Sequence, residues 1–108
     1  ANGIHFAICD SRIEPIAVIS AFPPQDAAAG GWQLRKFAVS SESQGQGLGT
    51  KLLKYSEDAI RAEGAARVWL DARVEQQGFY EHRGYVAAGA TFTKNTPDQV
   101  YVRMEKAL

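Results

Sequence analysis

Three glycines within five residues mark a junction between a predicted strand and a predicted helix, and this junction constrains the fold more than any other part of the sequence. The glycines are Gly45, Gly47 and Gly49. Residues 32–39 before them alternate as in a strand, and residues 48–63 after them carry apolar side chains at helical spacing. The first N–H groups of a helix lack internal partners, and glycine lets a ligand approach the main chain closely. The junction is therefore a candidate anion site, favoured by the positive end of the helix dipole.

Strand and helix patterns fill most of the remaining chain. Their order, β-β-β-α-β-α-β-β, predicts an α/β (α+β) fold with a mixed sheet that starts as an antiparallel hairpin and continues through a strand–helix–strand crossover. The 108 residues suit one domain, residues 1–108, with a single core. The strands are predicted at residues 4–10, 16–22, 32–39, 66–72, 85–92 and 99–106, and the helices at 48–63, closed by Gly64, and at 75–83, closed by Gly84.

The third predicted strand leads into the glycine junction and is expected near the centre of the sheet. It follows a small, glycine-rich stretch at residues 25–31, which predicts a loop. Strict alternation along the strand places Leu34 and Ala38 on one face and Phe37 and Val39 on the other.

Charge and cysteine content narrow the classes of partner and compartment. Twelve basic and twelve acidic side chains give a formal net charge of zero, so there is no electrostatic reason to expect a nucleic-acid or membrane partner. Cys9 is the only cysteine, which excludes an intrachain disulfide and favours a reducing compartment. There is no secretion signal near Ala1 and no apolar run of spanning length, so we expect a cytoplasmic protein. His5 and His82 lie far apart in the sequence, and no metal site is expected.

Three phosphate-binding motifs compete for the glycine junction. A Walker loop needs lysine and then serine or threonine directly after its last glycine, and the order Gly49-Thr50-Lys51 does not fit. A dinucleotide fingerprint needs Gly-x-Gly-x-x-Gly, whereas Gly45, Gly47 and Gly49 are one residue too closely spaced. The pattern Gln/Arg-x-x-Gly-x-Gly/Ala is matched in full, beginning at Gln44. The simpler alternative is a strand-to-helix turn that needs glycine for its shape alone.

Two further segments accompany this pattern in the order of a known family. A strand, Arg67-Val68-Trp69-Leu70-Asp71-Ala72, follows the helix, and the segment Gly78-Phe79-Tyr80-Glu81-His82-Arg83-Gly84-Tyr85 comes next. The second segment is similar to a phenylalanine-tyrosine-x-x-x-glycine-aromatic signature. From the glycine junction to Met104 the chain resembles the GCN5-related N-acetyltransferase (GNAT) family, and within it most the small ElaA-like branch. It departs from that branch at Arg73 and Glu75, and at residues 99–101, where the branch has glutamine or histidine.

The resemblance implies a GNAT-like acyl-CoA N-acyltransferase fold and an N-acetyltransferase activity. Acetyl-CoA would be the co-substrate, and the acceptor would be a primary amine of a small molecule or a protein that attacks directly in a ternary complex. Tyr80 matches the family tyrosine that acts as general acid toward the coenzyme sulfur. The residues implied in binding coenzyme A are Phe37, Val39, Gln44, Gly45, Gln46, Gly47, Leu48, Gly49 and Thr50.

The transfer needs a proton donor, for which Tyr80 is the candidate, and a proton acceptor, which stays open. A phenol suits the general acid because its unperturbed pKa, about 10, lies near that of an alkyl thiol. Tyr80 could instead be an amphipathic core residue beside its aromatic neighbour. For the general base, Glu42, Asp71 and Glu75 are candidates by position, each with the alternative of an ordinary solvated carboxylate, and a water chain is a further option.

Family members normally begin with a strand and two helices that help to wall the acceptor site. Here the first predicted strand starts close to Ala1, so we expect this front end to be absent. A second function therefore stays open, a non-catalytic acetyl-CoA-binding or interaction module. A phosphate-binding protein of another class is a third option, and a homodimer is a further possible assembly.

Overall fold

The computed structural model describes residues 3–25 and 31–108. The predicted order of elements is confirmed, and the predicted loop at 25–31 lies outside the described residues over positions 26–30. The strands are β1 Ile4–Cys9, β2 Pro15–Phe22, β3 Trp32–Val39, β4 Arg67–Arg73, β5 Val86–Thr93 and β6 Val100–Ala107, the helices are α1 Leu48–Ala62 and α2 Gln77–Glu81, and 3₁₀ turns occupy Ser41–Ser43 and Val74–Gln76.

The six strands form one mixed sheet in the order β1-β2-β3-β4-β6-β5. Every neighbouring pair is antiparallel except β3 and β4, which are joined by the crossover through α1 and run parallel. That parallel ladder holds only two residue pairs, Trp32 with Val68 and Gln33 with Trp69. Beyond them the two central strands are no longer paired, and this opening between β3 and β4 positions the site.

Strand β3 carries a bulge at Lys36, which corrects one sequence expectation. Its register with β2 shifts there, and Lys36 takes a left-handed φ of 57°. The prediction that Leu34 and Ala38 share a face is wrong, because Leu34 is buried and Ala38 is exposed. The extra residue reverses the alternation, so that Phe37 and Val39 lie over the first turn of α1.

One face of the sheet packs against α1 and forms the core. The predicted inward alternation of Val68, Leu70 and Ala72 on β4 is confirmed, and Val102 and Met104 on β6 are buried beside them. Helix α1 contributes an apolar stripe at i, i+1 and i+8, made of Leu52, Leu53 and Ile60. Each such side chain contributes roughly 1.5–3 kcal/mol to the stability of the fold when fully buried. This burial holds α1, which begins directly after Gly47, against the sheet.

A buried charged group ties α1 to the far side of the sheet. The carboxylate of Glu57 has an exposed fraction of 3%. One of its oxygens accepts a hydrogen bond from the Tyr85 hydroxyl at 2.7 Å, and the other accepts one from Lys106 Nζ at 2.9 Å. A buried carboxylate is tolerated only when it is paired in this way, and the three residues connect α1, β6 and the residue directly before β5. Within residues 3–25 and 31–108, neither helix has the length and apolarity needed to cross a membrane.

Candidate functional site

A cleft of about 920 Å³ opens where β3 and β4 cease to pair. Its two long walls are the main chains of residues 34–39 and 70–73. The glycine junction closes one end, and side chains from α2 and β6 complete the lining. The remaining lining residues are Ser43, Gln44, Gly45, Gly47, Leu48, Gly49, Thr50, Gln76, Phe79, Tyr80, Arg83 and Tyr101.

The wall formed by β3 presents main-chain hydrogen-bonding groups to the cleft. The N–H of Ser40 donates to the Ile16 carbonyl on the β2 side at 2.8 Å. Successive N–H groups of a strand point to opposite sides, so the N–H groups of Val39 and Phe37 point away from β2 and toward β4. An unpaired strand edge of this kind can form hydrogen bonds with an extended ligand in the way that it would with an additional strand.

The glycine junction is shaped by left-handed backbone conformations. Gly45 has φ 84° and Gly47, which precedes the first helical residue, has φ 76°. A side chain in this region costs roughly 1–2 kcal/mol, which explains why glycine occupies both positions. A Cβ on either would meet no atom within 4 Å, so the main chain there is open to a ligand. The Gln44 side chain holds the loop against the strand by donating from Nε2 to the Val39 carbonyl at 3.1 Å.

Tyr80 lines the cleft with an exposed fraction of 8%. Its ring packs edge-to-face between Phe79 and Tyr85, at centroid distances of 5.1 and 5.6 Å. Burial raises the pKa of Tyr80 to about 12, and the positive charge of Arg83 opposes that rise. The phenol therefore stays protonated at neutral pH, with a pKa above its ordinary value of 10.0.

Arg83 is a residue of the cleft that sequence reasoning did not single out. Its guanidinium stacks on the ring of Phe79, 3.6 Å from the centroid, and donates to the Phe79 carbonyl at 2.6 Å. It also donates to Thr50 Oγ1 from Nε at 3.0 Å and from Nη2 at 2.7 Å. The only sequence signal was an arginine three positions after Tyr80, at a variable position of the aromatic signature.

The sequence of the chain, compared with models of known families, leads to the same kind of site as this arrangement of open parallel strands, glycine junction and helix N-terminus. Residues 1–85 match the family model described as the Acetyltransferase (GNAT) family. The chain belongs to the GNAT family. The family and the fold inferred from the sequence are thereby confirmed.

Several solved structures share the fold of this chain. An acyl-CoA N-acyltransferase from Pseudomonas aeruginosa has a TM-score of 0.85 at 22% identity, with coverage of 99% of this chain and 70% of that chain. ElaA from Escherichia coli has a TM-score of 0.86 at 16% identity, with coverage of 98% and 69%. An aminoglycoside 6′-N-acetyltransferase complexed with coenzyme A has a TM-score of 0.79 at 23% identity, with coverage of 97% and 72%. At these identities the likeness shows the fold.

The GNAT chain is shorter than its structural relatives. It spans between 64% and 78% of the length of eight solved structures that match it. No protein sequence of curated function matches it significantly.

The structure brings most of the predicted coenzyme-binding residues of this GNAT chain to one cleft. Tyr80 lines it, and so do eight of the nine residues named for coenzyme A; Gln46 belongs to the same loop but does not line the cleft. The binding and catalytic roles of these residues stay predictions. The eight are Phe37, Val39, Gln44, Gly45, Gly47, Leu48, Gly49 and Thr50.

The three candidate bases are placed differently. Glu42 is exposed in the 3₁₀ turn before the glycine junction, and Glu75 is exposed and bonded to the turn before β6; neither lines the cleft. Asp71 does line it, but its oxygens are held by Arg103 Nε at 3.2 Å and Lys94 Nζ at 3.6 Å. Both oxygens of Asp71 are thus engaged by cations, and a water molecule is the simpler candidate for the proton acceptor.

The remaining aromatic and imidazole side chains lie away from the cleft. His5 is bonded to Ser20 Oγ at 2.7 Å on the outer strands, and Trp69 packs under the Arg103 guanidinium at 4.0 Å. In the part of the chain that the structure describes, no three His, Cys, Asp or Glu side chains come together as a metal site.

Proposed function

We propose that this chain binds acetyl-CoA in the cleft between β3 and β4 and transfers the acetyl group to a primary amine of a small molecule or a protein. The observation that carries the proposal is the end of the parallel ladder after Gln33 and Trp69, directly beside the glycine junction. Coenzyme A needs a site for an anionic pyrophosphate joined to a long, amide-bearing arm. The cleft offers an anion site at one end and an unpaired strand along its length. The family membership and a structural relative complexed with coenzyme A support the same conclusion.

The glycine junction fits the pyrophosphate. The main-chain N–H groups of residues 45–49 would hold its oxygens, with the positive end of the α1 dipole behind them. Gly45 and Gly47 leave the approach open, because no atom lies within 4 Å of the position a Cβ would take. Gln46 would contribute here through its main chain, which is consistent with a side chain outside the cleft.

The β3 wall fits the pantetheine arm and the acetyl group. The arm carries amides that can pair with the edge formed by Phe37 and Val39, as an added strand would. The Val39 carbonyl is engaged by Gln44, while the Val39 N–H points into the cleft. That N–H would polarise the acetyl carbonyl and stabilise the oxygen as negative charge develops on it.

Tyr80 completes the chemistry as a hydrogen-bond donor. Acetyl-CoA, when bound, supplies a thioester carbonyl for the amine and a thiolate as the leaving group. Since burial keeps the phenol of Tyr80 protonated at neutral pH, it is ready to donate to that sulfur as negative charge appears there. A mobile water would accept the proton of the attacking amine. The reaction is a direct transfer in which the chain forms no covalent bond to the acetyl group.

Calorimetric titration of coenzyme A and acetyl-CoA tests the binding step. We expect a dissociation constant on the order of micromolar for the wild-type chain. A Gly47→Glu variant puts a carboxylate at the anion site and should lose roughly two orders of magnitude in affinity. Gly64→Glu is the matched control, since Gly64 at φ 96° has the same backbone strain and open surroundings at the other end of α1.

The outcomes separate two functions, the acetyltransferase and the non-catalytic module, from failure of the proposal. Binding that Gly47→Glu weakens by roughly two orders of magnitude and Gly64→Glu preserves, followed by thiol release with a panel of amines, supports the acetyltransferase. Binding without thiol release points to the non-catalytic module. Absence of coenzyme binding, or equal loss in both variants, contradicts the proposal.

Two accompanying expectations belong to the same proposal. Acetyl-CoA as co-substrate and a lone Cys9 favour action in the cytoplasm. A homodimer is the expected alternative to a monomer, and size-exclusion chromatography with light scattering distinguishes the two.

A further inference from the structure

We infer that Arg83 is a phosphate ligand of the coenzyme and that it prepares Thr50 as a second one. The inference rests on the proposed function and adds a side-chain contribution to a site that otherwise consists of main-chain groups. Arg83 follows α2, whereas Thr50 lies in the first turn of α1, 33 residues earlier. Their contact therefore joins two elements at the end of the cleft where the glycine junction lies.

The hydrogen bonds of Thr50 restrict what its hydroxyl can do. A hydroxyl has one proton to donate and two lone pairs that accept. Nε and Nη2 of Arg83 both donate to Thr50 Oγ1, so both lone pairs are occupied. Among the described residues the Thr50 hydroxyl donates no hydrogen bond of its own. Thr50 is thus a donor without an acceptor on the surface of the cleft, which suits an anion and does not suit a cation.

The charge of Arg83 has no counterion. It forms no ion pair with any carboxylate in residues 3–25 and 31–108, although its side chain is half-buried. On one side the guanidinium meets the ring and the carbonyl of Phe79, and on the other side lie a helix N-terminus and the open N–H groups of the glycine junction, which are positive in potential. A half-buried cation in such surroundings is stabilised when an anion binds beside it.

The guanidinium is also held in one orientation. It stacks on the Phe79 ring at 3.6 Å and donates to the Phe79 carbonyl, so that three of its five N–H groups are engaged and two are free. A planar guanidinium with two free donors matches the oxygens of a phosphate, and the stacking removes the entropy cost of ordering it.

Binding of coenzyme A and of 3′-dephospho-coenzyme A tests this inference by calorimetry. We expect Arg83→Gln to weaken coenzyme A binding roughly tenfold or more, because it removes a charged hydrogen-bond donor. Arg83→Lys keeps the charge without the planar fork, so its affinity for coenzyme A should lie between those of the wild-type chain and Arg83→Gln. Arg61→Gln is the control, because Arg61 is an exposed arginine on α1 that pairs with Asp58 away from the cleft. An equal loss for both ligands assigns Arg83 to the pyrophosphate, and a loss for coenzyme A alone assigns it to the 3′-phosphate.

A double variant tests the pairing with Thr50. If Arg83 presents the hydroxyl of Thr50 to the phosphate, Thr50→Val should weaken coenzyme A binding in the wild-type chain. In a chain that already carries Arg83→Gln, the same substitution should reduce the affinity by a smaller factor. Multiplicative losses would show that the two residues act separately and would overturn this part of the inference.

The result that overturns the role of Arg83 is distinct from failure of the proposed function. Wild-type affinity in Arg83→Gln shows that Arg83 is not a ligand and leaves the proposed function standing. Absence of coenzyme binding by the wild-type chain removes both. Thermal unfolding of each variant is measured alongside. If Arg83→Gln does not fold, a folded Arg83→Lys with unchanged affinity for both ligands overturns the inference, and one with weakened affinity supports it.

Discussion

Tyr80 illustrates at the scale of one residue how the fold changes the chemistry of a side chain. In solution a phenol and an alkyl thiol have similar pKa values, which is why a tyrosine suits the role of proton donor to sulfur. Packing between Phe79 and Tyr85 raises the pKa of Tyr80 to about 12, while Arg83 opposes the rise. The buried phenol is therefore suited to donate a hydrogen bond to a thiolate while it keeps its proton.

Replacing Tyr80 with phenylalanine should separate chemistry from binding. The ring still fills the space between its aromatic neighbours, so we expect coenzyme affinity to change less than threefold, about 0.6 kcal/mol. Loss of the donor should lower kcat by roughly 10²-fold, the lower end of the range for general acid catalysis. The measurement is thiol release from acetyl-CoA with an amine that the wild-type chain accepts. Unchanged turnover would remove Tyr80 from the mechanism.

The turn between β1 and β2 shows at the scale of an element what a local sequence can impose. The Asp10 carboxylate accepts hydrogen bonds from the N–H groups of Arg12 and Glu14, at 2.8 and 3.0 Å, and closes the turn. Ile13 completes it in a left-handed conformation, with φ 62° and an exposed fraction of 83%. A β-branched residue is strained there, and a hairpin of this kind favours glycine at that position.

An Ile13→Gly substitution should therefore stabilise the chain. Relief of the left-handed conformation contributes roughly 1–2 kcal/mol, which the greater freedom of glycine in the unfolded chain reduces to about 1 kcal/mol or less. The check is the free energy of unfolding in urea. Ile13→Ala is the control, since it removes the exposed side chain and keeps most of the strain; equal stabilisation by both variants would contradict the backbone explanation.

Elements defined by local pattern could be predicted from the sequence, whereas contacts between distant elements could not. Strand β4 was predicted at residues 66–72 and lies at Arg67–Arg73, because its alternation is uninterrupted. The bulge at Lys36 depends on the register with β2, which no local pattern contains. Likewise, a glutamate on a helix is expected to be exposed to solvent. Glu57 is buried only because Tyr85 and Lys106 approach it in the folded chain.

The site was predictable to the same extent. The glycine junction can be identified from spacing alone, and Tyr80 from the signature around it. The contact of Arg83 with Thr50 requires the end of α2 to pack against the first turn of α1, so sequence reasoning could not find it. The opening between β3 and β4 likewise belongs to the tertiary structure, since nothing within either strand marks where pairing stops.

The charge balance of the whole molecule conceals an uneven distribution. The chain has equal numbers of acidic and basic side chains, yet the charged residues that line the cleft are four cations and one carboxylate. The carboxylate, Asp71, is already paired with two cations. A cleft with this lining concentrates anions even when the net charge is zero. The lining cations are Arg35, Lys36, Arg73 and Arg83.

Two buried tyrosines should make the stability of the whole chain depend on alkaline pH. The pKa of Tyr80 is raised to about 12 by burial, and that of Tyr85 is raised by burial and by its hydrogen bond to Glu57. Below pH 10 both are neutral in the folded and unfolded chain, so they cause no pH dependence. As the pH rises above 10, the unfolded chain ionises and the folded chain does not. The free energy of unfolding should then fall by about 1.4 kcal/mol per pH unit for each tyrosine.

Urea unfolding between pH 8 and pH 11.5 checks this expectation. A Tyr80→Phe chain is the matched comparison, because it keeps the pair formed by Tyr85 and Glu57 and loses one of the two ionisations. Its stability should fall less steeply than that of the wild-type chain above pH 10. Parallel curves would show that Tyr80 does not contribute.

The opening between β3 and β4 also bears on how such a protein can diverge. Every residue except proline carries the same N–H group, so a binding surface made of strand edge and helix terminus survives the exchange of most side chains around it. Selection then acts on the few places where backbone shape itself demands a residue, as at Gly45 and Gly47. A surface of this kind is compatible with wide divergence of sequence, and the fold is shared with ElaA at 16% identity and a TM-score of 0.86.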